Sequence, residues 1–531
     1  MSHGAIFRRG GSGGTPWKLR GGPDGTRAAT AQIARLYHGR VTSLAPAAGR
    51  PLGARAANAL VFLAAGAVLV LEILGVRLLA PYVGLTLETT TAIIGAALAG
   101  IAAGASAGGR MADRFDGRWL LALLLAGGGL LCIAAVPLVR AFGEAARGNG
   151  DLSALLVALV TLFPAACVLS AVSPVVAKLQ LHDLEHTGRV VGSLSAWATA
   201  GALAGTFGTG FVLVPLMPTS VAVFSIGGLL LAAALALALR VGLTSPAVAI
   251  VCLVGAATLA GAALAIGSPC DVETDYHCAV IAADPAQPGE RTLILDDLRH
   301  SHVDLDDLRQ LELDYARWMA DAIGGLPAGP LDAVYLGGGG YTLPRYVATV
   351  RPGSRARVLE VDGELVKLAR RRLALRTGPA LRVRVGDARV TLRAEPTDSA
   401  DVVVGDAFGR RSVPWHLATA QFAREIRRVL RPGGLYTLNL IDQGDLRLLR
   451  AEAATLLDVF ADVRLVAHAQ DGEPRGGNVV FLASDHTLAP AVRSTARGAR
   501  TFERAAVQRI ARGADVLHDD DAPADQLIGS R

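Results

Sequence analysis

Asp332-Ala333-Val334-Tyr335-Leu336-Gly337-Gly338-Gly339-Gly340-Tyr341 is a short β-rich run that ends in four glycines and leads into a helical stretch. Glycine permits a tight turn and the close approach of a ligand to backbone, and a helix N-terminus beyond the turn favours anionic or acceptor groups. A second run, Arg357 to Val361, carries Glu360-Val361-Asp362 at its end, so one of two carboxylates stands where a sheet of this kind binds ribose hydroxyls. The third run, Leu381 to Val385, leads into Gly386-Asp387-Ala388, suited to an adenine edge. The fourth, Asp401 to Gly405, leads into Asp406-Ala407-Phe408 and puts Asp406 beside whatever lies next to the nucleotide. Each acid taken singly is explained by a helix cap or a solvated loop. Their recurrence at four successive strand ends predicts an α/β, doubly wound, Rossmann-type sheet that binds a nucleoside.

Outward from this centre, Leu435 to Ile441 supplies a fifth strand, and Val463 to His468 and Asn478 to Ala483 close the sheet. Those last two, with little helix between them, resemble the terminal hairpin of class I S-adenosylmethionine methyltransferase-like folds. The expected domain runs over 331–485, preceded by a small β-rich segment and helix over 271–330 and followed by a tail over 486–531 without a clear core pattern.

The first half is different in kind. Of 531 residues 52% are apolar and 18% charged, and the apolar ones concentrate between Asn58 and Gly267. A span needs about 20 apolar residues to cross about 30 Å of hydrocarbon. Seven stretches qualify: 58–80, 89–109, 119–139, 152–177, 190–214, 219–239 and 245–267. The expected class is thus a multi-span α-helical membrane domain over 58–267 fused to the α/β domain. Gly100, Gly104 and Gly108, and Gly201 and Gly205, have the four-residue spacing that lets helix backbones approach. Pro164, Pro174 and Pro215 are expected to bend or end helices. Glu72 and Arg77 lie within the first span, each in need of protein or water around it. A polar cavity and a plain structural contact compete for Glu72; for Arg77 a structural role at the interface, beside Pro81 and Tyr82, is favoured.

Residues 1–57 form a basic arm in which nine arginines and lysines face Asp24 alone. Such an arm beside a span serves as a topology signal or touches anionic lipid more often than nucleic acid, and no nucleic-acid partner is expected. No signal peptide precedes it. Arg110, Arg114, Arg118, Lys178, Arg189 and Arg240 fall on the arm's side of the spans, which predicts a cytoplasmic arm and, after seven crossings, a soluble half on the other face. Cys270 and Cys278 are spaced for a bridge between two strands, which needs an oxidising compartment, whereas a cytosolic nucleotide argues for the opposite face. No cysteine and histidine cluster suggests a metal.

With these residues in view, the chain resembles the spermidine synthase (polyamine aminopropyltransferase) family in its membrane-fused form, over Glu273 to Asp442 and through Glu72-Ile73-Leu74 to Arg77-Leu78-Leu79-Ala80-Pro81. The resemblance implies that Gly337, Gly338 and Gly339 approach the nucleoside, that Glu360 binds its ribose, and that Asp387 and Ala388 meet its adenine. It also implies that Glu312 to Tyr315 flanks the amine site and that Asp406 takes a proton from the attacking amine. The co-substrate is then decarboxylated S-adenosylmethionine or S-adenosylmethionine, the second substrate a small amine, the setting a lipid bilayer, with no metal; homo-oligomerisation is left open. Two acids usual in the family are absent, replaced by Gly340 and Gly409, and Arg410 and Arg411 follow. Those losses favour methyl transfer to another acceptor, while Tyr335-Leu336 before the glycines, where methyltransferases usually carry an acid, favours aminopropyl transfer. A third reading is non-catalytic, with the spans carrying or sensing a small cation under nucleotide control.

Overall fold

The computed structural model describes residues 52–83, 87–146, 151–181, 187–242, 246–408, 413–488 and 498–528. The arm up to Pro51, and Gly409, Arg410 and Arg411, lie outside the described residues.

Six helices among the described residues are long and apolar enough to cross a membrane: Ala54–Val83, Thr89–Arg114, Gly117–Ala146, Phe163–Gln180, Thr187–Leu216 and Thr219–Arg240. The fourth expected stretch departs from a single rod, with joints at Leu162 and Ala171 dividing helices Asp151–Thr161, Phe163–Ser170 and Val172–Gln180. Pro164 lies in the first turn of Phe163–Ser170, where a missing N–H is cheapest. The seventh stretch forms helix Pro246–Ile266, of which only Cys252–Ile266 is counted as a shorter apolar helix. Both glycine rows seat helix contacts: a Cβ at Gly108 would lie 2.7 Å from the Ala171 Cα, and one at Gly66 would lie 2.9 Å from the Gly201 carbonyl oxygen. The helices run alternately, so the ends near residues 83, 146, 216 and 266 share the side on which the soluble half begins.

The soluble half opens with a four-stranded antiparallel sheet, β1 Val272–Glu273, β2 Cys278–Asp284, β3 Gln287–Leu295 and β4 Leu298–Asp304. Cys270 and Cys278 are disulfide-bonded. Helix Asp314–Gly324 leads into the main sheet, whose strands are β5 Asp332–Leu336, β6 Arg355–Glu360, β7 Leu381–Val385, β8 Ala400–Gly405, β9 Leu430–Asp442, β10 Asp462–Gln470, β11 Glu473–Ser484 and β12 Ala499–Phe502. Their order is β12-β10-β11-β9-β8-β5-β6-β7, parallel from β7 to β9 and antiparallel beyond. The order reverses between β5 and β8, which opens a crevice at their carboxyl ends.

Alternate residues of β5 enter two different cores. Val334 and Leu336 pack with Phe422, Ile426 and Leu449 on one face, and Ala333 and Tyr335 pack with Trp318, Met319 and Leu368 on the other. Burial on both faces explains why β5 and β8, at the centre of the sheet, read as near-continuous apolar runs. The segment beyond residue 485 is not the featureless tail expected from its sequence. β12 extends the sheet along β10, and Val507, Leu517 and Ala524 are buried in the core. Its apolar residues are too sparse to form a pattern alone; they complete a surface that helices Ala420–Val429 and Arg447–Val459 already present.

Candidate active site

The glycine turn is held by its own backbone. Gly337 and Gly339 adopt positive φ, 89° and 49°, a region that only glycine enters at little cost. A Cβ on Gly337 would lie 2.7 Å from the Asp406 carbonyl oxygen, so β5 and β8 approach here as closely as backbone allows. Tyr341, also at positive φ and fully buried, ends the turn, and helix Thr342–Val350 begins one residue later than the sequence suggests.

Glu360 is buried and spends its oxygens on this turn. Its Oε2 accepts from Gly338 N at 2.7 Å and Gly339 N at 3.4 Å, and its Oε1 accepts from Asp362 N at 2.9 Å. Burial pushes its carboxyl above the usual range, while those amide bonds pull it back. Asp362 caps helix Gly363–Arg372 through Oδ1, at 3.0 Å from Glu364 N, and its buried Oδ2 has no hydrogen-bond partner. Asp387 likewise caps the next helix, Oδ1 to Arg389 N at 2.7 Å, while its Oδ2 lies 3.0 Å from His416 Nε2. Both acids thus cap a helix with one oxygen and line the crevice as well; the second oxygen of Asp362 is unpartnered, and that of Asp387 meets His416.

Asp406 stands at the centre. Its Oδ1 accepts from Asn439 Nδ2 at 2.9 Å, and its Oδ2 accepts from the Tyr315 hydroxyl at 3.3 Å. Burial pushes its carboxyl up to about 6, against the effect of those two hydrogen bonds. The Tyr315 hydroxyl is pushed well above its ordinary value by burial, then by the neighbouring Asp406 charge, and stays a donor. His300 also faces the crevice, its pKa lowered to about 4 by burial and by His277, so it is a neutral imidazole at physiological pH.

These groups line two adjoining cavities. The larger, about 280 Å³, brings together Gly337, Gly339, Glu360, Asp362, Asp387, Ala388 and Asp406, under a roof of Tyr276, His277 and His300 and beside His416. The smaller is a cleft lined by Gly337, Gly338, Glu312, Tyr315 and Asp406. Gly337 and Asp406 belong to both. Glu312 reaches the cleft already engaged, Oε1 by Arg299 at 2.8 Å and Oε2 by His302 Nδ1 at 2.6 Å. Glu290, His302 and Glu312 place one ligand atom each within 4.8 Å of one another, a spacing a divalent cation tolerates. The Arg299 guanidinium on Glu312 gives that cluster its counter-charge instead.

At Gly340, where the resemblance calls for an acid, β4 fills the space. Ser301 Oγ accepts from Gly340 N at 2.9 Å, and a Cβ on Gly340 would lie 2.7 Å from the Ser301 Cβ and 3.1 Å from Val303 Cγ2. Sequence reasoning missed Tyr276, His277, His300, His416 and Asn439. Tyr276 and His277 come from the turn between β1 and β2, His300 from β4 and His416 from the short helical turn Trp415–Leu417, none of them at a strand end of the main sheet; Asn439 alone carried a signal, as a polar residue inside an apolar β9.

Residues 334–438 match the family described as a methyltransferase domain. The polyamine aminopropyltransferase of Vibrio vulnificus (strain CMCP6) is 28% identical over 135 residues, 25% of this chain and 44% of that one. A structure described as a probable spermidine synthase from Corynebacterium glutamicum ATCC 13032 is 30% identical, over 47% of this chain and 95% of that one, with a TM-score of 0.44. Over part of its length the chain is spermidine synthase-like. The spermidine synthase of Thermotoga maritima is more distant, 17% identical over 49% of this chain and 83% of that one, with a TM-score of 0.34. The family match at residues 334–438 falls within the α/β half, and the chain spans less than half the length of the curated relative. These relatives are transferases on a Rossmann-like sheet; in this chain that sheet follows helices long enough to cross a membrane.

Proposed function

We propose that this protein is a membrane-anchored transferase that moves an aminopropyl group from decarboxylated S-adenosylmethionine to a small amine, with Asp406 as general base. The observation that carries the reading is the place of Asp406 on the boundary between the two cavities. A nucleoside in the larger one, held at Glu360 or Asp362 and at Asp387, points its sulfur toward Gly337 and Asp406. An amine in the cleft beside Tyr315 then meets the carbon attached to sulfur from the far side. An alkylammonium must lose a proton before its nitrogen can attack; a carboxylate titrating near 6 is charged at neutral pH and takes that proton. The new C–N bond forms as the C–S bond breaks, and the sulfonium leaves as a neutral thioether. Neutral His300 adds no positive charge beside the sulfonium.

The test is Asp406→Asn in the full chain, which keeps the shape and one acceptor oxygen for Asn439 while removing the charge. Transfer is expected to fall by about 10²–10⁴ with nucleoside affinity little changed. Undiminished turnover would remove Asp406 from the chemistry.

Methyl transfer from S-adenosylmethionine has one observation in its favour, the space at Gly340 that Ser301 fills where the amine-binding acid of the family would stand. Turnover assayed with both donors separates the two reactions.

We further propose that the soluble half lies across the membrane from the basic arm. Supporting this are the alternating helices, the basic residues Arg110, Arg114, Arg118, Lys178 and Arg240 at the ends remote from β1, and the Cys270–Cys278 bridge. Labelling of single cysteines in the soluble half by a membrane-impermeant thiol reagent is expected in intact cells; labelling only after lysis would reverse the orientation.

A further inference from the structure

We infer that the membrane bundle holds up one wall of the nucleoside cavity, and that Arg77 is the residue that positions it. The inference rests on the nucleoside reading of that cavity.

Arg77 is a charge in an apolar span and needs a partner. It does not snorkel to the bilayer surface beside Pro81 and Tyr82 as expected; it runs into the soluble half. Its Nε donates to Thr219 Oγ1 at 3.3 Å, while its two terminal nitrogens donate to the Asp275 carbonyl at 2.6 Å and the Thr274 carbonyl at 2.5 Å. A planar guanidinium matches two successive carbonyls in a way that an ammonium cannot. A second membrane helix reaches the same turn, where Thr219 N donates to Glu273 Oε2 at 2.7 Å. Two spans thus grip residues 273–275.

Tyr276 and His277 come next in the chain, and both line the nucleoside cavity. They also line a separate cavity of about 230 Å³ between the helix ends and the soluble half, together with Arg77 and Arg140. The two residues are tied to the gripped turn, because Thr274 Oγ1 accepts from Tyr276 N at 3.1 Å and from His277 N at 2.8 Å. His277 Nδ1 is in turn 2.8 Å from Asp296 Oδ2, which fixes its ring from the other side. A shift of the turn at Thr274 and Asp275 is therefore passed to the cavity roof. The carbonyls are also what make Arg77 tolerable at a membrane edge, since an unpaired cation there is costly. The bundle and the roof hold each other in place, and nucleoside affinity depends on how the spans are packed.

The test uses the full chain in detergent or nanodiscs, titrated with 5′-methylthioadenosine, which carries the adenosine and sulfur common to both candidate donors. Arg77→Ala is expected to weaken binding about tenfold or more, and Arg77→Lys by less, since one ammonium keeps part of the contact. Amide exchange at residues 276–278 should accelerate in Arg77→Ala while β5 to β9 keep their protection. Thr219→Val, which removes one acceptor at constant volume, gives the same readouts with smaller amplitude should the alanine variant not fold. Wild-type affinity in these variants, or weaker binding with unchanged exchange at 276–278, would overturn the inference. No binding by the wild-type chain would instead overturn the nucleoside reading on which it stands.

Discussion

Asn439 donates to Asp406 across the carboxyl edge of β8 and β9, Nδ2 to Oδ1 at 2.9 Å, and is itself fixed by Asn478 Nδ2 at 3.0 Å. The amide favours the carboxylate over the acid, so it opposes the burial that raises Asp406 to about 6. Asn439→Leu removes that opposition and raises the pKa further. Because the base must be deprotonated, the acid limb of the pH–rate profile, expected near pH 6 in the wild type, should move to higher pH in the variant. Tyr315→Phe should shift it the same way. An acid limb that stays in place in both variants would detach Asp406 from the proton transfer.

Much of this site was readable because a parallel sheet delivers its strand ends to one edge, and strand ends are marked in sequence by where apolar runs stop. Gly337, Glu360, Asp387 and Asp406 are local signals of that kind. The roof was not readable: Tyr276 and His277 belong to a turn placed by Arg77, nearly two hundred residues earlier in the chain, and no local pattern encodes a contact of that separation. Glu312 shows the reverse difficulty. Its neighbourhood in sequence placed it beside Tyr315, but Arg299 and His302, which occupy its oxygens, arrive from β4.

Glu360 offers a test of whether the turn or the ligand claims its carboxylate. Glu360→Ala would leave the half-buried Gly338 and Gly339 amides without their acceptor, at a cost toward or below the lower end of the about 1–3 kcal/mol of a fully buried group. The variant should lose both thermal stability and nucleoside affinity. Glu360→Gln, which still presents one carbonyl oxygen to those amides, should recover most of the stability but not the contact with ribose hydroxyls. Calorimetry on the two variants, with and without nucleoside, checks the split; equal affinity in Gln and wild type would assign the ribose to Asp362 alone.

Restoring the missing acid should fail as a single change. In Gly340→Asp the new Cβ meets the Ser301 Cβ and Val303 Cγ2, and overpacking of this kind costs about 1–3 kcal/mol. The midpoint of thermal unfolding should fall, with no gain in diamine affinity. Adding Ser301→Gly removes the nearest obstacle and should recover the midpoint; only in that double variant can an acid face the cleft. A Gly340→Asp chain as stable as wild type would show that β4 yields freely there.

Glu452 lies fully inside the core behind β9, its Oε2 without a hydrogen-bond partner, and burial raises its pKa to about 8. The sign of its contribution follows from that shift. The unfolded chain releases this proton near 4.5 and the folded chain holds it to about 8, so the folded state binds more protons between those values. Stability from this group is complete below pH 4.5, declines as pH rises, and is gone once the carboxyl ionises above about 8. Glu452→Gln keeps the shape without the proton, so its unfolding midpoint should fall behind or match the wild type in acid and exceed it progressively toward pH 8. Thermal melts of both chains from pH 5 to 9 measure the difference; curves that stay parallel across that range would mean that Glu452 ionises in the fold at its ordinary pKa.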